Sequence, residues 1–221
     1  MKDWAIIFDV DGVLLNLTRV EEELFFVPFA KRLDATKLSR DWNSYKTRND
    51  EDILREIVER YGLPTSEIPR IKAEYLALLE DELRGPLQSE LIEGAQELLA
   101  EFAGVAQLGI ATANFREAAR LRLQQADMWE PVSRLAFGAD GGGHKSAILA
   151  RAILACGLPK SRIIFIGDNV NDVSAGLNND VHFIGFSRDA ARRKTLAATG
   201  AMRLASRHAE TQVMIRQIFS A

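Results

Sequence analysis

The sequence predicts an α/β protein, a doubly wound parallel sheet with a helical module inserted after its first strand. Three observations point there. Short unbroken apolar runs each end in a polar residue, helical patterns alternate with the later runs, and a long early stretch has helical spacing without a convincing strand.

The first run, Trp4-Ala5-Ile6-Ile7-Phe8, leads into Asp9. A second spans residues 105–111 and leads into Thr112. A third, Ile163-Ile164-Phe165-Ile166, leads into Gly167-Asp168, and residues 181–186 read as a further strand. Continuous apolar runs of this length suit strands buried on both faces, as in parallel sheets. In open sheets of this kind ligands bind beyond the carboxyl ends of the strands. Asp9, Thr112 and Asp168 are therefore expected along one edge.

Helical spacing covers residues 115–126, 146–156, 190–199 and 208–219. In the early stretch it covers 21–33, 51–61 and 66–83, punctuated by Gly62-Leu63-Pro64 and Gly85-Pro86. Those roughly 70 residues make a module within the usual domain size range. The expected division is a core of residues 1–15 and 89–221 and an inserted helical module of residues 16–88.

Composition excludes several classes. Hydrophobic residues make up 47% and charged residues 27% of the 221, close to the globular average. The formal charge of −3 gives no reason to expect nucleic acid or an anionic membrane as partner. No apolar run approaches the roughly 18 residues of a membrane helix, and the start is too short for a signal-peptide core. Cys156 is the only cysteine, so an intrachain disulfide and a cysteine zinc site are excluded. A cytoplasmic location is the expectation.

Four polar constellations carry the chemistry. Asp9-Val10-Asp11-Gly12 places two carboxylates two residues apart at a strand end. Two like charges 4 Å apart repel by about 4 kcal/mol at an effective dielectric of 20, so the pair needs a cation, a shared proton or solvent. An EF-hand calcium loop also opens Asp-x-Asp, but Val13 and Leu14 stand where it needs Asp or Asn and then Gly. In Gly167-Asp168-Asn169-Val170-Asn171-Asp172, Asp172 follows Asp168 by one helical turn, and helix capping explains only part of that spacing. Thr112-Ala113-Asn114, between strand and helix, offers a hydroxyl and free amides suited to an anion.

The fourth constellation is Gly141-Gly142-Gly143-His144-Lys145-Ser146. It invites comparison with the phosphate loop of nucleotide hydrolases, but His144 and Ala139 stand where that loop needs glycine. Between residues 100 and 165 the only lysines are Lys145 and Lys160, and Lys160 directly precedes a strand, at the opposite end of the sheet. By elimination, Lys145 is the cation for the edge that holds Asp9.

Asp9-x-Asp11-Gly12, Thr112, Lys145 and Gly167-Asp168-x-x-x-Asp172, in that order, resemble the haloacid dehalogenase superfamily of phosphohydrolases over nearly the whole chain. The inserted module resembles the helical cap of its phosphoglycolate phosphatase-like branch. Val13 stands where many members have Thr, Asn16 where many have Asp, and Ser146 where phosphatases often have Pro.

The resemblance implies a phosphatase acting on a small phosphorylated metabolite. Asp9 would be the nucleophile and Asp11 the general acid and base. Mg2+ would be held by Asp9, Asp168 and the Asp11 backbone carbonyl. Thr112, Ala113, Asn114 and Lys145 would hold the phosphate, Asp172 would orient Lys145 or the metal shell, and Lys46 and Arg48 in the cap would face the leaving group. The alternatives are a phosphosugar mutase, whose cap usually supplies a histidine that residues 16–34 lack, and a nucleotide-hydrolase-type loop around Lys145.

Overall fold

The computed structural model describes residues 2–16, 18–34, 36, 38–85 and 90–220. In chain order, β1 (Ala5–Phe8) is followed by the short β2 (Leu15–Asn16). Helices α1 (Arg19–Ala30), α2 (Asp50–Arg60) and α3 (Glu67–Arg84) come next, then β3 (Glu90–Leu91), which pairs antiparallel with β2. The remainder alternates: α4 (Ala95–Phe102), β4 (Gln107–Ala111), α5 (Arg116–Gln125), α6 (Trp129–Val132), β5 (Leu135–Phe137), α7 (Lys145–Cys156), β6 (Ile163–Gly167), α8 (Val170–Asn179), β7 (His182–Phe186), α9 (Ala190–Thr199), β8 (Leu204–Ala205) and α10 (His208–Phe219).

Six strands form one parallel sheet in the order β5-β4-β1-β6-β7-β8. Strand alternation divides the core between its two faces. Ile6 and Phe8 join one cluster with residues of α4, α5, α6 and α10. Ala5 and Ile7 join another with residues of α7, α8 and α9. Phe8 is in register with Ile110 of β4 and Ile166 of β6, so the chain leaves all three central strands at one level. The Asp9 amide continues the ladder to the Ile166 carbonyl at 2.8 Å, and Thr112 N donates to Phe137 O at 3.0 Å.

Helices α1, α2 and α3 share a separate apolar cluster, built from Phe25, Phe26, Phe29, Ile53, Ile57, Tyr75 and their neighbours. Phe115 and Ala118 at the start of α5 belong to this cluster too. Polar ties reinforce the contact: Asp50 N donates to Ala113 O at 3.0 Å, Phe115 N to Asp50 Oδ2 at 2.7 Å, and Lys72 Nζ to Asp140 Oδ1 at 2.6 Å. The expected boundary at residues 88 and 89 falls outside the described residues.

The triglycine segment takes part in this docking. Asn49 Nδ2 donates to Gly143 O at 3.0 Å, and Gly143 N donates to Asp52 Oδ2 at 3.1 Å. Gly142 adopts φ +69°, and a Cβ there would lie 2.5 Å from Asp52 Oδ1. Glycine is needed at this position for both the left-handed backbone and the close approach of α2.

Candidate active site

Asp9 emerges from β1 at the middle of the sheet edge. Its Oδ1 accepts from Val10 N at 2.8 Å and lies 2.6 Å from Lys145 Nζ. Lys145, at the first turn of α7, also reaches Asp172 Oδ1 at 3.0 Å. The other oxygen of Asp172 accepts from the amides of Asp168 and Asn169 at 3.2 and 3.1 Å. Asn169 caps α8, and Asp172 closes a capping box with it, so this carboxylate is fixed by the helix start and in turn fixes the lysine. Asp172, expected to orient Lys145 or the metal shell, is thus in contact with Lys145.

Asp9, Asp168 and Asp172 each present a carboxylate oxygen, and these atoms lie within 4.8 Å of one another. Burial pushes the Asp9 carboxyl well above its ordinary range; Lys145 opposes this, while Asp172 and Asp168 add to it. Burial followed by the charge of Asp172 raises Asp168 to about 6, against the pull of Arg192 and Lys145. Burial works to lower Lys145, but Asp172 and Asp9 outweigh it and hold the ammonium above its usual value. Lys145 and Arg192 against three buried carboxylates still leave excess negative charge, and hard oxygen donors in that state suit a divalent cation. Gly12 makes room for the cluster: at φ +76° its missing Cβ would fall 2.3 Å from Asp168 Oδ2.

A cleft of about 1140 Å3 opens over these residues, lined by Asp9, Asp11, Asn114, Lys145, Asp168 and Arg48 among others. Lys46 and Ala113 line it as well. Apart from Thr112, the expected residues from both the sheet edge and the helical module thus meet in one cavity. Lys46 and Arg48 are exposed, and among the described residues neither forms an ion pair. Thr112 is only 1% exposed. Its hydroxyl donates to Asn114 Oδ1 at 3.1 Å and accepts from Asn114 N at 3.2 Å, which organises the turn between β4 and α5.

Several participants escaped the sequence reading. Asp11 Oδ1 is paired with Arg122 NH2 at 2.7 Å, and Arg122 is buried on α5. Its signal was an arginine on the apolar face that Ala118, Ala119 and Leu123 define. Asp50 is buried at the start of α2, and burial pushes its carboxyl up to about 7. In the run Arg192-Arg193-Lys194 of α9, Arg192 and Lys194 are exposed and Arg193 is half-buried. Arg192 reaches Asp168 Oδ2, and Arg193 donates to the carbonyl of Ser187 at 2.6 Å.

The model of the haloacid dehalogenase-like hydrolase family matches residues 5–180, most of the chain and every residue of the carboxylate cluster. The chain belongs to the haloacid dehalogenase-like hydrolases. No curated protein matches it by sequence. Among solved structures it resembles other haloacid dehalogenase-like folds. A β-phosphoglucomutase from Clostridium difficile is 16% identical with TM-score 0.69, the match covering 100% of this chain and 98% of the other. CbbY from Rhodobacter sphaeroides in complex with phosphate is 21% identical with TM-score 0.68, covering 94% and 95%. A haloacid dehalogenase family hydrolase from Deinococcus radiodurans with bound phosphate and sodium is 21% identical with TM-score 0.60, covering 99% and 96%. At these identities the likeness concerns the fold. Among the described residues of this haloacid dehalogenase-like hydrolase, no helix is long and apolar enough to cross a membrane.

Proposed function

We propose that this chain is a phosphatase that hydrolyses a small phosphate monoester through an aspartyl-phosphate on Asp9. The observation that carries the reading is the meeting, in one cleft, of Asp9, the neighbouring acid Asp11, the lysine Lys145 and the second carboxylate Asp168. An Asp9 carboxylate oxygen attacks phosphorus, the bond from phosphorus to the ester oxygen breaks, and Asp11 gives the departing alcohol its proton. Water then attacks the same phosphorus, Asp11 takes a proton from it, and the bond to Asp9 breaks to release phosphate. Asp11 ends as it began.

Lys145 and the amides around Ala113 and Asn114 hold the transferring oxygens as their charge shifts. Asp9, Asp168 and the Asp11 backbone carbonyl would hold Mg2+, which when bound offsets the repulsion between Asp9 and a phosphate dianion. Asp172 serves Lys145, because both its oxygens are already engaged. Residues 16–88 act as a cap that excludes water from the reacting phosphate, with residues 1–15 and 89–221 as the core. Lys46 and Arg48 face the leaving group. A cytoplasmic setting suits a chain whose one cysteine is a buried free thiol.

The test is phosphate release from an aryl phosphate with magnesium, by the wild type and by Asp9→Asn and Asp11→Asn. Release that both substitutions nearly abolish in folded protein supports the reading. Isomerisation of a sugar phosphate without release would instead favour a mutase.

A further inference from the structure

Arg122 belongs to neither the metal cluster nor the phosphate site, although it touches Asn114 in the turn beside the latter. It is 1% exposed, and its guanidinium meets four residues. NH2 makes an ion-pair contact of 2.7 Å with Asp11 Oδ1, an oxygen that has no aligned hydrogen-bond donor among the described residues, and donates to Asn16 O at 3.1 Å. Nε donates to Glu21 Oε1 at 2.6 Å, and NH1 to Asn114 Oδ1 at 3.3 Å. Asn16 belongs to the strand through which the chain leaves the core, and Asn114 belongs to the turn after β4. Glu21, also 1% exposed, is engaged on its other side as well. Its Oε2 accepts from Thr18 N at 2.7 Å in the capping box that starts α1.

A buried arginine flanked by two carboxylates is weak evidence for stability, because its desolvation offsets much of the attraction. What the arrangement supplies is geometry. A planar fork with several donors can hold partners at fixed angles, which a lysine cannot. Here the fork joins the carboxylate beside Asp9 to the first turn of the first inserted helix, through a single residue at each step.

We propose that Arg122 is a positioning residue that sets the Asp11 carboxylate for proton transfer to the leaving group and couples it, through Glu21, to the start of α1. This rests on the phosphatase reading, in which Asp11 is the acid. Arg122 has no contact with the transferring phosphoryl group in that scheme, so its effect follows the leaving group. An alkyl alcohol departs poorly unless it is protonated, whereas nitrophenolate departs without help.

The experiment compares kcat/KM on ethyl phosphate and on p-nitrophenyl phosphate, with magnesium, for the wild type and Arg122→Lys. This parameter covers only events up to departure of the alcohol, so the later use of Asp11 as a base does not enter. Positioned general acids contribute roughly 10²- to 10⁴-fold, so Arg122→Lys is expected to lose about 30-fold or more on ethyl phosphate and less than about 3-fold on p-nitrophenyl phosphate. Equal losses on the two esters, or no loss on either, would overturn the positioning role.

If Arg122→Lys does not fold, Arg122→Met with Glu21→Leu removes both buried charges together and is expected to fold with the same selective loss. A folded double variant with an unselective loss, or none, overturns the proposal equally. Absence of phosphate release by the wild type from both esters would instead overturn the phosphatase reading, and the role of Arg122 with it. Release by the wild type with an unselective Arg122→Lys defeats the positioning role alone.

Discussion

Lys145 Nζ lies 2.6 Å from Asp9 Oδ1, and the pair is held from behind by Asp172. The lysine therefore has little freedom and is charged before any phosphate arrives. Lys145→Met keeps the length of the side chain and removes the charge. It is expected to lower kcat about 10²- to 10³-fold, the scale on which single preorganised donors act. Steady-state kinetics on an aryl phosphate checks this, and a loss below about 5-fold would remove Lys145 from the phosphate site.

The three carboxylates of Asp9, Asp168 and Asp172, faced by Lys145 and Arg192, predict dependence on a small hard cation. Excess chelator is expected to remove turnover, magnesium to restore it, and calcium to inhibit. Magnesium keeps near-octahedral geometry, while calcium accepts bidentate carboxylates and could engage both oxygens of Asp9. Full turnover in chelator would refute the metal assignment.

Asp50 predicts a pH dependence of stability. Burial raises its carboxyl to about 7 in the folded protein, from 3.8 in an exposed chain. Below the lower value both states hold the proton and the contribution is complete. As pH rises toward about 7 the unfolded chain releases the proton while the folded one keeps it, so stability falls, by at most about 4 kcal/mol. Asp50→Asn can keep an acceptor for Phe115 N and has nothing to ionise. Urea melts from pH 4 to pH 8 should show the variant gaining on the wild type as pH rises, and parallel curves would contradict the account.

The sheet was legible in the sequence because its central strands are unbroken apolar runs that polar residues terminate. Ala190–Thr199 and His208–Phe219 agree with the expected helices end to end. The two strands of the six-stranded sheet that went unread, Leu135–Phe137 and Leu204–Ala205, lie at its edges and are three and two residues long, too short for a periodic signal. The carboxylates and Lys145 were legible because each follows a strand or opens a helix. Arg122, Arg192 and Asp50 were not, because their partners lie far along the chain: 101 residues separate Arg122 from Glu21, and 65 separate Asp50 from Phe115. No local pattern encodes such contacts. The triglycine run shows the opposite case, a visible motif whose contacts are with α2.

Lys46 and Arg48 line the cleft without ion-pair partners among the described residues, so they are available to an anionic leaving group. Lys46→Ala and Arg48→Ala are expected to cost roughly 2–3 kcal/mol, or about 30- to 150-fold in kcat/KM, on an acidic phosphate ester. An uncharged aryl phosphate should lose little. Equal losses on both, or none on either, would remove Lys46 and Arg48 as specificity residues.

The central claim is that Asp9 itself becomes phosphorylated. The most direct measurement is to mix the protein with magnesium and a labelled phosphate ester, quench in acid within a turnover, digest, and identify the labelled peptide by mass spectrometry. The account predicts phosphate on Asp9 in the wild type and none in Asp9→Asn, which also fails to turn over. Label on another residue, or undiminished turnover by Asp9→Asn, would contradict it.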